Sequence, residues 1–218
     1  MTLPTVTRNP IDLSPGDELI LRFRTWDDYE QLLTQHQDKA GLKIRYNAKT
    51  QELRIMSPLP RHGKNADVLA DLVKVMLRHQ RKEWEAFTPI TLKRLHQQGI
   101  EPDYCFYIQN RHLILGKERI DLDRDPPPDL AIEVDLTATT DPEDYRAIGA
   151  LELWIYRQHQ LLIYQFDGTQ YQEISGSHQF PGFNLKQLIP EYVERSWQVG
   201  SSVALREYEQ LIESMSSG

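Results

Sequence analysis

The sequence predicts a mixed α/β fold, a central mixed β-sheet flanked by helices and preceded by an N-terminal helix and a β-hairpin. Three observations carry this. An apolar stripe of helical spacing runs from His62 to Arg81, and the centre of the chain holds a succession of short strand patterns. Around Glu133 a strand, a short helix and a second strand follow one another as in a crossover unit. At 218 residues one core suffices, so residues 1–17 read as an N-terminal segment and 18–218 as a single domain.

Glu18 to Arg24 alternates and reads as a short edge strand. Thr25 then caps a helix, with Asp28 three residues on and Trp26, Tyr29, Leu32 and Leu33 on one face, ending near Gln37. Leu42–Asn47 and Glu52–Met56 alternate on either side of a short polar break, the pattern of a hairpin. The long helix from His62 to Arg81 buries Ala66, Leu69, Ala70, Val73, Met76 and Leu77. Strands follow at Glu83–Phe87, Ile90–Leu95 and Tyr104–Ile108, separated by Pro89 and a predicted turn at Gln97-Gln98-Gly99. Leu130–Val134 is nearly all apolar, as expected of a strand covered on both faces. Asp141-Pro142-Glu143-Asp144 starts a short helix that ends at Gly149. Strands at Leu151–Tyr156, Leu161–Phe166 and Tyr171–Ile174 follow, the last two joined by an Asp167-Gly168 turn. Helices near Leu185–Arg195 and Val203–Met215 close the chain.

The composition narrows the function. No apolar run approaches a membrane span and the start lacks a signal-peptide pattern, so a cytoplasmic protein without membrane partners is expected. The lone Cys105 excludes an internal disulfide and a cysteine-based zinc site. No glycine-rich phosphate loop is present, which argues against a nucleotide cofactor. A net charge of −7 handicaps nucleic-acid binding unless the cations gather on one face or a metal neutralises the acids.

Two acids stand out. Glu133 lies inside Leu130-Ala131-Ile132-Glu133-Val134, where an unpaired carboxylate would be heavily penalised. Asp103 begins the Tyr104 strand, and the segment between is long enough to set the two strands side by side. Two carboxylates on neighbouring strands can hold a hard cation for phosphodiester hydrolysis; the alternative is a pair of exposed or salt-bridged acids.

The strings E-P-D-Y-C-F-Y-I at Glu101–Ile108, P-P-P-D-L-A-I-E-V-D at Pro126–Asp135 and G-A-L-E-L-W-I-Y at Gly149–Tyr156 resemble the Uma family of restriction-endonuclease-like proteins of the PD-(D/E)xK type. T-W-D-D-Y-E-Q-L-L and M-S-P-L-P-R-H-G extend the resemblance upstream. It implies a restriction-endonuclease-like fold, a Mg2+ or Mn2+ cofactor held by Asp103 and Glu133, DNA as substrate and a homodimer. The pattern also calls for a lysine two residues after the glutamate, where this chain has Asp135. Relatives that carry the lysine in the following helix offer no rescue, because Thr139–Gly149 contains Arg146 as its only cation. Asp135 is therefore a candidate third ligand and Arg146 a candidate electrostatic substitute, although a guanidinium cannot act as a base. His62, Lys117, Lys93 with Arg94, and Glu101 are lesser candidates. The alternative function is a catalytically impaired fold that serves as a binding or assembly module.

Overall fold

In the computed structural model, which describes residues 11–36, 41–136 and 139–215, two β-sheets share the chain. The first contains β1 (Glu18–Leu21), β2 (Lys43–Asn47), β3 (Glu52–Met56), β5 (Leu92–Arg94) and β6 (Gln98–Ile100). Its order is β1-β3-β2-β6-β5, antiparallel throughout. The second contains β4 (Glu85–Phe87), β7 (Tyr104–Tyr107), β8 (Leu130–Asp135), β9 (Glu152–Arg157), β10 (Gln160–Phe166) and β11 (Tyr171–Glu173). Its order is β11-β10-β9-β8-β7-β4, with β8 and β9 the parallel pair. Among the described residues the α-helices are α1 (Trp26–His36), α2 (Pro60–His79), α3 (Arg111–Ile114), α4 (Leu185–Val199) and α5 (Ser201–Met215).

The strand period of two decides what each face buries. Leu130, Ile132 and Val134 of β8, with Trp154 and Tyr156 of β9, pack under α2, α4 and α5. Ala131, Leu153 and Ile155 face the opposite side, where Leu92, Ile100, Tyr145 and Ile148 cover them. Glu133 and Asp135 alternate with the first set and so lie on this second side. In the other sheet Ile44, Tyr46, Leu53 and Ile55 pack on Trp26, Tyr29 and Leu32 of α1. Lys43 and Arg45 therefore leave the opposite face of β2.

Several expectations are corrected. The predicted hairpin is present as β2 and β3, but Gln98 and Gly99, read as a turn, pair with Asn47 and Tyr46 and extend it into a five-stranded sheet. The turn falls earlier, around His96 at φ 56°. A Cβ at Gly99 would overlap the Tyr29 ring, so glycine there lets the strand lie against α1. The segment after Asp141 is a 3-10 helix, Pro142–Tyr145, although Asp141 does cap it by accepting from the Glu143 N–H at 3.0 Å. Its N–H groups reach back three residues, Asp144 to Asp141 and Arg146 to Glu143, and Gly149 at φ 77° turns the chain into β9. The short α3 was not anticipated. The Thr25 cap is present, with reciprocal bonds between Thr25 and Asp28 at 2.8 and 3.2 Å; α1 is described to His36, and the predicted end at Gln37 lies outside the described residues.

Candidate active site

Asp103 sits one residue before β7, where its backbone N–H still donates to Ile132 O at 3.0 Å. This continues the antiparallel pairing of β7 with β8 and turns the Asp103 side chain toward the strand beside it. Its Oδ2 accepts the Val134 N–H at 2.8 Å. Both Asp103 and Glu133 are buried.

The other sheet answers with cations. Lys43 Nζ donates to Asp103 Oδ1 at 2.8 Å and to Glu133 Oε2 at 3.0 Å, bridging the two carboxylates. Two residues along the same strand, Arg45 Nη2 lies 2.7 Å from Glu133 Oε1, and its Nη1 donates to Thr140 Oγ1 at 3.2 Å. Tyr145, from the 3-10 helix, also donates its hydroxyl to Glu133 Oε1. His62, in the first turn of α2, brings Nε2 to 3.2 Å from Asp103 Oδ2. Each carboxylate oxygen of the pair thus has a partner.

The ionisation follows from these contacts. Burial pushes the Asp103 carboxyl up, but Lys43 and His62 beside it more than offset this and hold it well below the usual carboxylate range. Burial disfavours the Arg45 charge, but Glu133, Tyr145, Asp103 and Asp135 together outweigh it, so the guanidinium stays protonated. Tyr145 is raised by burial and then by Glu133, which keeps its hydroxyl a donor.

Asp135 belongs to an adjoining network. Its Oδ1 accepts from Thr140 Oγ1 at 2.8 Å, and its Oδ2 from Thr140 N at 2.9 Å and from Arg157 Nε and Nη2 at 2.9 and 2.6 Å. The parallel register sets Asp135 opposite Arg157. Thr140 links the two groups, because its hydroxyl also receives Arg45. Three buried acids, Asp103, Glu133 and Asp135, therefore face Lys43, Arg45 and Arg157.

Asp103, Glu133 and His62 come together at this end of β8, Asp135 lies in the adjoining network, and the candidate cations do not join them. Arg146 is half-exposed and lies 3.6 Å from Glu143. Lys117 pairs with Asp125, Lys93 with Glu30 at 2.9 Å, and Arg94 with the Ala147 carbonyl at 3.3 Å. Glu101 accepts from Ile44 N and Thr91 Oγ1, both at 2.9 Å, and ties β2 to the residue that precedes β5. Sequence reasoning missed Lys43, Arg45, Thr140, Tyr145 and Arg157. The available signal was Lys43-Ile44-Arg45, two like charges on one strand face.

Oxygen donors from two carboxylates suit a hard divalent cation in type. Among the described residues no group of three or more His, Cys, Asp and Glu side chains converges as a metal cage. A carboxylate pair alone is nevertheless an ordinary protein contribution to magnesium, whose other positions go to water and phosphate oxygens. Among the described residues no helix is long and apolar enough to cross a membrane.

A family model described as "Uma2: Putative restriction endonuclease" matches residues 26–198, most of the chain. Among solved structures, the chain is similar to one described as a "putative nuclease belonging to DUF820" from Anabaena variabilis ATCC 29413. The two are 13% identical, with a TM-score of 0.48, over 74% of this chain and 90% of that one. No curated protein matches.

Proposed function

The chain belongs to the Uma2 family, and from that premise we propose that it is a metal-dependent endonuclease of restriction-endonuclease-like fold that hydrolyses DNA phosphodiester bonds at Asp103 and Glu133. The observation that carries the reading is the convergence of these two buried carboxylates, from neighbouring strands, on one positive charge at 2.8 and 3.0 Å. Asp103 and Glu133 would hold magnesium or manganese, which when bound supplies an activated water and positive charge against the phosphate. The surrounding residues fix the pair. Val134 N–H orients Asp103, while Arg45 and Tyr145 hold Glu133 in one rotamer. Arg45 in turn is held by Thr140, so the carboxylates are set before substrate arrives.

The test is nicking of supercoiled plasmid by the purified protein with magnesium or manganese. Asp103→Asn and Glu133→Gln should each lower the rate by about 100-fold or more. Unchanged cutting by both variants would overturn the assignment.

A second reading has its own observation. All four oxygens of the pair are already satisfied by protein groups, and the chain carries a net charge of −7. These features favour a non-cutting binding or assembly module. Calorimetric titration with manganese separates the two, since that module would bind no divalent ion at millimolar concentration.

A further inference from the structure

We propose that Lys43, delivered from β2 of the five-stranded sheet, supplies the ammonium that the strand motif lacks at Asp135, and that it faces the scissile phosphate. The proposal rests on the phosphodiesterase reading and adds to it a residue outside the motif.

The position that should carry a lysine is closed to that role. Both Asp135 oxygens are engaged by Thr140 and Arg157. Arg146, Lys117 and Lys93 are paired with Glu143, Asp125 and Glu30 instead. Arg45 is near enough, but its guanidinium is clamped between Glu133 and Thr140. Lys43 reaches both acids at once.

Its chemistry suits the task. An ammonium has three N–H donors, and Asp103 and Glu133 take two of them. The third remains for a phosphate oxygen, and that bond would strengthen as negative charge builds on the non-bridging oxygens in the transition state. The Lys43 side chain keeps 11% of its exposure, against 6% for Asp103 and 1% for Glu133, so it is the least enclosed of the three. No proton need leave it for this role.

A buried lysine between two acids also has a purely structural interpretation, and the experiment separates the two. Single-turnover nicking of supercoiled plasmid and calorimetric manganese binding are measured on the wild type, Lys43→Met and Lys43→Arg, with circular dichroism as the check on folding. Lys43→Met should cut about 100-fold more slowly at saturating DNA, bind manganese at least as tightly as the wild type, and be rescued about tenfold by arginine at the same position. Tighter or equal binding is expected because the competing cation is gone while the acids remain. If the methionine variant does not fold, Lys43→Gln, which keeps a donor, takes its place in both measurements. Cutting within about threefold of a cutting wild type would remove Lys43 and leave the endonuclease reading intact. Joint loss of manganese binding and cutting would make Lys43 a structural tie and overturn the proposal. A wild type that neither cuts nor binds manganese would overturn the endonuclease reading itself, and Lys43's role with it.

Discussion

The Lys43 ammonium lies 2.8 Å from the Asp103 carboxylate, joining residues 60 apart in the chain and in different sheets. Removing Asp103 leaves Lys43 with Glu133 as its one remaining acid and unbalances a buried charge network, at a cost of about 3–5 kcal/mol. Replacing Lys43 as well removes the surplus ammonium, and Glu133 keeps Arg45 and Tyr145. Asp103→Leu alone should therefore destabilise by about 3–5 kcal/mol, and Asp103→Leu with Lys43→Met by clearly less than the sum of the single changes. Urea unfolding of the four proteins completes the cycle. Additive losses would mean that the two charges do not interact in the folded protein.

Glu133 was legible because a carboxylate in an apolar run demands a partner, and that demand follows from sequence alone. The partner was not. Lys43 and Arg45 reach Glu133 only because one sheet turns the polar face of β2 toward the end of β8 in the other, a relation between strands distant in sequence. Local pattern predicts that β2 has a polar face and says nothing about what that face meets. The same limit explains Gln98 and Gly99. Their composition favours a turn, and pairing with β2, together with the close packing of Tyr29, overrides it. For the 3-10 helix the cap was foreseen, but the tight three-residue winding that brings Tyr145 to Glu133 was not.

Glu152 should prove structural despite its burial. Its carboxylate accepts Trp154 Nε1 at 3.0 Å, Ser177 Oγ at 2.7 Å, and the His178 and Gln179 N–H groups at 2.7 and 3.0 Å. These bonds pin the segment between β11 and α4 to the start of β9. Glu152→Ala would leave several buried donors unsatisfied and should cost about 3 kcal/mol or more. Limited proteolysis should then cut near Ser177 in the variant and spare the wild type, while plasmid nicking per folded molecule stays within about twofold. Equal protection of the two proteins would count against the anchoring role.

The Asp167-Gly168 turn provides a pH test away from the site. Asp167 Oδ1 accepts Gln170 N at 2.9 Å, Thr169 Oγ1 at 2.7 Å and Thr169 N at 2.8 Å. These bonds, the Gln170 backbone first, lower its carboxyl to about 2. A depressed folded value favours the folded state above the ordinary aspartate value of about 3.9, and that contribution is lost as pH falls through about 2. A carboxyl-carbon NMR titration should place Asp167 below the other exposed aspartates, and Asp167→Ala should flatten the acid limb of stability against pH. A midpoint near 3.9 would mean that the turn bonds do not hold the charge.

Asp135→Lys recreates the lysine of the motif, yet it should give no gain in cutting. Residue 135 stands opposite Arg157 in the parallel register, so the new ammonium would meet a guanidinium in place of a carboxylate. Thr140 would lose the acceptor for both its N–H and its hydroxyl, and with it the fixed position from which it receives Arg45. A loss of about 3–5 kcal/mol is expected from the stranded charges, read by urea unfolding. Adding Arg157→Glu restores an ion pair of reversed polarity and should recover most of that stability. Cutting by the double variant should still not exceed the wild type, because its ammonium is then held by residue 157 and the pair at Asp103 and Glu133 already has Lys43. Faster cutting by Asp135→Lys, with stability unchanged, would show that residue 135 faces the reacting phosphate and that the Thr140 and Arg157 contacts do not constrain it.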